Sequence, residues 1–304
     1  MRIGTVIVTW NQTRLTLECL AALGAAGAAM GDVWVVDNGS APPALPVVAA
    51  RFPGVRSLDL GRNTGFTGGS NAGAAAALAA GCDAIFFLNN DALVAPGALD
   101  ALGAALVSDG RIAAVAPKVC FADRPEIIQS AGMALDAESG IARSIGTGER
   151  DAGQHDAPAD REALFGCALL VRREAWEQIG PFWEPFFSYA EEIDWCLRAR
   201  RLGWRLRYTP ATRVLHHASR SLAGDSPLRA YLIARNRELL RRRSASGGLA
   251  GLAGVVRGLA HDGRTALHYL RHGKPRHARA LLLGRWDALR GATGDARSPD
   301  LRRR

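Results

Sequence analysis

The sequence predicts an α/β fold: a mostly parallel, twisted sheet flanked by helices, with a basic helical extension at its C-terminal end. Three observations predict it. The first 116 of 304 residues alternate short continuous apolar runs with stretches of helical spacing, which is how strands covered by helices on both faces read. Polar clusters close several of those runs, at the strand ends where open α/β sheets bind their ligands. Charge is split along the chain: residues 1–219 carry 19 Lys and Arg against 23 Asp and Glu, and residues 220–304 carry 19 against 6. A mildly acidic body bears a strongly basic tail, suited to an anionic surface, membrane lipid before nucleic acid.

Ile3–Thr9 is the first apolar, β-branched run, and residues 14–23 place Leu15, Cys19, Leu20 and Leu23 at helical spacing. Val33-Trp34-Val35-Val36 is a second buried strand, ended by the turn signal Asp37-Asn38-Gly39-Ser40. Residues 55–60 form a third strand, followed by a glycine-rich turn and an alanine helix over 72–80. Ala84-Ile85-Phe86-Phe87-Leu88 is a fourth strand and ends in Asn89-Asn90-Asp91. Pro96 marks a helix start, continued by Leu99, Leu102 and Leu106, and residues 112–115 are a fifth strand. Residues 146–163, rich in Gly, Asp and Ala, read as a mobile loop. Helical spacing resumes over 190–202, then two short strands over 205–209 and 213–215. From Ser226 the pattern is helical over 228–243, 249–271 and 276–290, and the last residues fray into Arg302-Arg303-Arg304.

With 48% hydrophobic and 22% charged residues, the chain has ample material for a core, which excludes disordered, collagen-like and coiled-coil classes. Five scattered cysteines without CxxC spacing exclude a zinc ribbon or disulfide scaffold and point to buried thiols in a reducing compartment. Residues 1–8 hold one basic residue and run straight into a strand, unlike a signal peptide. No run approaches the ~18 apolar residues of a spanning helix. A cytoplasmic protein able to lie on the inner face of the cell membrane is expected.

Four clusters carry the chemistry. Gly65-Phe66-Thr67-Gly68-Gly69-Ser70-Asn71-Ala72-Gly73 places backbone donors at a strand-to-helix turn, which suits a phosphate, although a plain tight turn explains the glycines equally. Asn89-Asn90-Asp91 offers a carboxylate and two side-chain carbonyls to a divalent Mg²⁺ or Mn²⁺, or else forms an Asx turn. Glu191-Glu192-Ile193-Asp194 sets three carboxylates at a helix start, with Arg198 spaced to pair with Asp194. Capping explains two of them and leaves Glu192 as a spare carboxylate suited to a general base. His216-His217 follows a strand whose alternation admits at most one of the two to a site. The aromatic group Trp176, Phe182, Trp183, Phe186, Phe187, Tyr189 and Trp195 reads mostly as core.

The order of these clusters is more specific than any one of them. Val36-Asp37-Asn38-Gly39-Ser40, Asn63-Thr64-Gly65-Phe66-Thr67-Gly68-Gly69-Ser70-Asn71, Leu88-Asn89-Asn90-Asp91, Gly166-Cys167-Ala168-Leu169-Leu170-Val171-Arg172-Arg173, Glu191-Glu192-Ile193-Asp194-Trp195-Cys196-Leu197-Arg198-Ala199 and Val214-Leu215-His216-His217 together resemble family-2 glycosyltransferases, in particular their rhamnosyltransferase-like branch. The resemblance spans residues 3–243. It implies a GT-A fold with a nucleotide-sugar-binding half over 1–116, an acceptor-binding and catalytic half of the same domain over 117–225, and the basic extension over 226–304. It also implies inverting transfer of a sugar, rhamnose among the candidates, from a nucleoside-diphosphate donor. The acceptor would be a glycan or lipid-linked glycan of bacterial cell-surface polysaccharide.

By position, the resemblance implies that Thr9 and Asp37 meet the base and ribose, and that Asn63, Gly65 and Asn71 line the nucleotide pocket. It places Asn90 at the ribose or metal, Asp91 and His216 as ligands of the divalent metal, and Glu192 as catalytic base. Glu191, Asp194 and Trp183 would line the acceptor side. The sequence departs from the branch at Glu192, where Asp is usual, at Pro181-Phe182-Trp183-Glu184 in place of Gly-Phe-Asp-Glu, and at Ser70 in place of Asn. Two other functions fit less of the sequence. A sugar-phosphate nucleotidylyltransferase wants a basic glycine-rich loop near the N-terminus, and Thr9-Trp10-Asn11-Gln12-Thr13 is not one. A non-catalytic nucleotide-sugar-binding protein would have lost the metal and base carboxylates, and both are present.

Overall fold

The computed structural model describes residues 1–217, 226–296 and 301. The expected boundary at residue 225 and the terminal Arg302-Arg303-Arg304 lie outside the described residues. The first half follows the apolar runs. β1 (Ile3–Thr9), β2 (Val33–Asp37), β3 (Arg56–Asp59) and β4 (Ala84–Leu88) are parallel, in the order β3-β2-β1-β4. Helices α1 (Thr13–Ala25), α2 (Leu45–Arg51) and α3 (Gly65–Ala79) accompany them, and a buried apolar core lies on each face.

Past β4 the alternation breaks. The chain forms β5 (Ala92–Val94), α4 (Ala98–Val107) and β6 (Ile112–Phe121), then β7 (Arg124–Ser130) and the hairpin of β8 (Met133–Asp136) and β9 (Ile141–Ser144). β10 (Ala159–Asp160), β11 (Ala168–Arg172), α5 (Arg173–Ile179), α6 (Glu191–Arg201) and β12 (Arg205–His216) follow. β11 inserts antiparallel between β4 and β6, and β12 lies parallel to β6. The sheet therefore reads β3-β2-β1-β4-β11-β6-β12-β10 and is mixed in its second half. The two short strands expected over 205–209 and 213–215 are one strand. A register shift between Thr209 and Arg213 separates them, beside Pro210, which has no N–H for the ladder. β5 pairs antiparallel with the end of β12, setting His216 opposite Ala92.

The glycine-rich segment 65–73 is helical rather than a loop, and its glycines serve packing. A Cβ at Gly69 would stand 2.7 Å from Val8 Cγ1, and one at Gly73 would stand 2.3 Å from Val6 Cγ1. Only glycine lets α3 lie this close to β1. Gly73→Ala is accordingly expected to lose ~1–3 kcal/mol by overpacking. In urea the unfolding midpoint should fall with the slope unchanged; an unmoved midpoint would contradict the close approach. Segment 146–163 is tied down: buried Lys118 reaches both Asp151, at 2.8 Å, and Asp156, and Tyr208 Oη donates to His155 O at 2.8 Å. All five cysteines are buried and free.

The C-terminal helices are α7 (Pro227–Ser244), α8 (Gly248–Arg271) and α9 (Pro275–Leu289). α7 buries Arg235, Asn236 and Glu238 completely. α8 packs through a stripe of small residues, Gly251, Gly254 and Gly258; a Cβ at Gly254 would lie 2.0 Å from Glu138 O. Its leucines consequently point away from the body. Among the described residues, no helix is long and apolar enough to cross a membrane.

Candidate active site

A cavity of about 450 Å³ opens at the carboxyl ends of β1, β2 and β4, the place where a sheet of this kind binds ligands. Trp10, Gln12, Asn38, Asn63, Asn89 and Asn90 line the strand-end side, and residues 187–193 line a wall. The C-terminal helices contribute as well: Arg229, Ile233, Arg237 and Leu240 of α7 and His261 of α8 reach the same cavity. Gln129, on β7, is a further lining residue.

At the strand-end side, Asn38 organises a turn. Its Nδ2 donates to Asn63 Oδ1 at 3.1 Å and to Gly65 O at 2.9 Å, while its Oδ1 accepts from the Thr64 N–H at 2.9 Å. Gly65 closes that turn at φ +77, where a Cβ would meet Phe187 O at 2.0 Å. Asn90 Nδ2 donates to Gln12 Oε1 and Thr16 Oγ1, at 3.1 and 3.2 Å. Asn38, Asn63 and Asn90 thus share the cavity. Thr9, Asp37 and Asn71 do not line it. Thr9 is buried and accepts from Thr16 Oγ1 at 2.8 Å. Both Asp37 oxygens are taken by backbone N–H groups, of Ser40 at 2.9 Å and Ala44 at 2.7 Å. Asn71 grips the backbone of Phe182 through both ends of its amide, at 2.9 and 3.0 Å.

The three carboxylates at the start of α6 divide by direction. Asp194 points away from the cavity and is neutralised by Arg198 and Arg243, each at 2.9 Å. Trp183 also lies outside the lining, with the Arg243 guanidinium 4.1 Å above its ring. Glu191 and Glu192 both line the cavity, and among the described residues no cationic side chain pairs with either. Burial pushes the Glu191 carboxyl well above the usual carboxylate range, helped by the neighbouring charge of Glu192. Burial raises Glu192 too, opposed by backbone N–H groups that include that of Gly166. A Cβ at Gly166 would stand 3.0 Å from Glu192 Cγ, so the glycine leaves this carboxylate its place. Of the pair, Glu191 is the more buried.

The segment before α6 is bent. Phe187, Tyr189 and Ala190 all have left-handed backbone, at φ +66, +72 and +74. Such conformations cost non-glycine residues roughly 1–2 kcal/mol each.

The Asp91 carboxylate is buried behind His216. Its Oδ1 lies 3.1 Å from His216 Nε2, out of line for a hydrogen bond, and neither carboxylate oxygen has a hydrogen-bond partner. A buried carboxylate with two orphaned oxygens is costly unless a cation or donor completes it. His216 Nδ1 faces Gln129 Oε1 at 3.0 Å and Nε2 faces Asn89 Nδ2 at 3.2 Å, which puts the ring proton on Nδ1 and leaves the Nε2 lone pair to the Asn89 amide or to a cation that displaces it. A carboxylate oxygen and an imidazole nitrogen are a donor set that fits Mn²⁺ better than Mg²⁺, which takes oxygen ligands. Among the described residues no cluster of three or more His, Cys, Asp or Glu could hold an ion by itself, so the remaining ligands would be amide or backbone oxygens, water or the substrate.

The sequence profile of glycosyl transferase family 2 matches residues 5–179. An N-acetylglucosaminyl-diphospho-decaprenol L-rhamnosyltransferase of Mycobacterium tuberculosis is 29% identical over 239 residues, 72% of this chain and 77% of that protein. In fold, the chain is similar to GalNAc-T7 solved with UDP, GalNAc and Mn²⁺, with TM-score 0.59, 16% identity and coverage of 71% of this chain and 44% of that one. It is likewise similar to the mannosyltransferase PcManGT of Pyrobaculum calidifontis solved with GDP-Man and Mn²⁺, with TM-score 0.57, 15% identity and coverage of 95% and 87%. Both are glycosyltransferases of the GT-A fold, and the mixed sheet described above shares it. The profile runs from β1 through α5, over more than half of the chain: the chain belongs to glycosyl transferase family 2.

Proposed function

We propose that this enzyme moves a sugar, rhamnose first among the candidates, from a nucleoside-diphosphate donor to a lipid-linked glycan of the cell surface, with inversion at the anomeric carbon. The observation that carries the reading is the carboxylate pair Glu191 and Glu192, which meets no cationic side chain among the described residues and lines the same cavity as His216 with Asp91 behind it. Of the two, Glu192, held beside Gly166, serves as the base. Glu192 takes the proton of the acceptor hydroxyl while the acceptor oxygen bonds to the anomeric carbon and the nucleoside diphosphate departs. Asp91 and His216 would hold a divalent cation, which supplies charge stabilisation to the leaving diphosphate. Asn38, Asn63 and Asn90 position the nucleotide at the strand ends.

The mycobacterial relative is named for an N-acetylglucosaminyl-diphospho-decaprenol, and an acceptor of that class suits the other end of this cavity. Met133, Ile141, Ile233 and Leu240 are apolar, with Arg229 and Arg237 beside them, as an amphiphile with an anionic head requires. The test is incubation with a panel of UDP-, GDP- and dTDP-linked sugars and a GlcNAc-diphospho-polyprenol acceptor, read by mass spectrometry. Transfer of one sugar supports the reading. No transfer from any donor, with or without Mn²⁺, would overturn it.

Attachment to the membrane belongs to the same proposal. Leu249 and Leu252 of α8 are 86% and 62% exposed, and Val256, Leu259, Leu267 and Leu270 extend the exposed set. Arg264 and Arg271 are exposed on the same helix, and Arg279 is exposed on α9. Apolar exposure beside arginine is what a helix lying in an anionic interface needs. The full chain should float with phosphatidylglycerol vesicles at low salt and less at high salt, because part of the attraction is screened. Leu252→Asp with Val256→Asp, at exposed positions, should abolish flotation and leave the melting temperature in place. Equal flotation by this variant would remove α8 as the anchor.

A further inference from the structure

The strained turn before α6 is held by a residue far away in the chain. Asn236 lies at the centre of α7 and is completely buried. Its Nδ2 reaches three backbone carbonyls of the turn: Phe186 O at 2.9 Å, Ser188 O at 2.7 Å and Tyr189 O at 2.8 Å. Its Oδ1 accepts from Arg235 Nε at 2.9 Å, so the amide is oriented and both of its ends are satisfied. Arg235, also fully buried, adds a bond from Nη2 to Phe186 O at 2.9 Å. Among the described residues no carboxylate forms an ion pair with its guanidinium; its donors go to backbone carbonyls, to Asn236 and to Tyr231.

On the opposite side the turn rests against α3. Phe187 O accepts from the Thr67 N–H at 3.1 Å, and Ser188 Oγ accepts from the Phe66 N–H at 3.0 Å. The turn is thus pinned between the helix that follows the nucleotide-side turn and the helix that closes the acceptor end. Three of its residues have backbone angles that they would not keep unaided. The next two residues along the chain are Glu191 and Glu192.

We propose that Asn236, oriented by Arg235, is a positioning residue. It holds the 186–190 turn in its left-handed course and thereby aims the first turn of α6, with Glu192, into the cavity. This rests on Glu192 being the base. It also gives the C-terminal helices a part in the chemistry, separate from any contact with a membrane. Asn236 touches no substrate in this account; it acts through the backbone of residues 186–190.

The experiment compares Asn236→Leu and the milder Asn236→Ser in the full chain, with Glu192→Gln in parallel. The readouts are kcat for sugar transfer, the donor dissociation constant, and hydrogen exchange of amides 186–191 against those of β1 and β4. Asn236→Leu should lower kcat on the order of 10²-fold, the scale of an ångström of misplacement, and Asn236→Ser by less. Donor affinity should stay within about threefold, because the loss is of aim rather than of binding. Exchange should quicken at 186–191 and stay slow in β1 and β4. Ala190→Gly, which adopts the left-handed conformation freely, should restore part of the kcat lost in Asn236→Ser.

A kcat within about twofold of wild type in both variants would overturn the proposal, since geometry at the reacting atoms would then be intact. So would a loss of donor affinity that matches the loss of kcat, or exchange that quickens throughout the sheet. If Asn236→Leu does not fold, Asn236→Ser decides by the same criteria. Full turnover by Glu192→Gln would refute the base assignment separately, and the exchange rates at 186–191 would still judge the clamp.

Discussion

Glu192→Gln should lower kcat by roughly 10²–10⁴-fold, the contribution of a positioned general base, with donor affinity nearly unchanged. The amide keeps the shape and the contact with Gly166 but cannot take a proton. Glu191→Gln should be milder, because burial already disfavours the charged form of Glu191. The pH profile carries the same information. Glu192 titrates above its ordinary value, so kcat should fall on the acid side through a pH above 4.5, the value of an unperturbed glutamate. Stability runs the other way. A carboxyl raised by folding is most favourable to the fold below its unfolded pKa, and that contribution is lost as pH rises through its folded pKa. Glu191→Gln removes that loss, so its melting temperature should exceed that of wild type at alkaline pH. An inactive Glu191→Gln with an active Glu192→Gln would reverse the two roles.

Asp91→Asn should separate function from stability. If Asp91 helps to hold a cation on the leaving diphosphate, its loss should cost several kcal/mol of transition-state stabilisation. In the metal-free protein the same change replaces a buried carboxylate whose two oxygens lack partners. Removing an uncompensated buried charge is neutral or stabilising, by ~1 kcal/mol or more. The expected signature is a melting temperature equal to or above wild type, a kcat near background, and no thermal shift on adding Mn²⁺ with nucleotide. Wild-type turnover by Asp91→Asn in EDTA would exclude the metal role. A variant that melts well below wild type would show that Asp91 is a structural residue instead.

The parts of the fold that were legible in the sequence are those governed by local pattern. β1 and β4 begin and end where the apolar runs do, and α7, α8 and α9 follow their spacing to within a few residues. The glycines of 65–73 misled for a physical reason. Their purpose is the approach of α3 to the valines of β1, and a contact across the sheet leaves no local trace. β5 is three residues long, and β11 sits inside a motif whose apolar run is too short to distinguish strand from helix. Its antiparallel insertion between β4 and β6 could not be read from the chain at all.

The candidate site divides in the same way. The i,i+4 spacing of Asp194 and Arg198 made their ion pair legible, but the second partner, Arg243, comes from α7. The approach of His216 to Asp91 depends on β5 pairing with β12 across more than a hundred residues. The contribution of α7 and α8 to the cavity was hidden by their arginines, which read as a surface for lipid. One signal was available: α7 carries polar residues on every side, and a helix of that kind in a folded body must meet other polar groups. Arg235 and Asn236 are where it does so.

The claim on which the rest depends is that Glu192 drives a single displacement at the anomeric carbon. It is tested most directly by nuclear magnetic resonance of the transfer product, comparing its anomeric configuration with that of the donor as the reaction proceeds. One displacement assisted by one base predicts a product of inverted configuration from the first turnover, formed roughly 10²–10⁴-fold more slowly by Glu192→Gln. A product that retains the donor configuration would contradict the account, because retention requires a second displacement or a different attacking group.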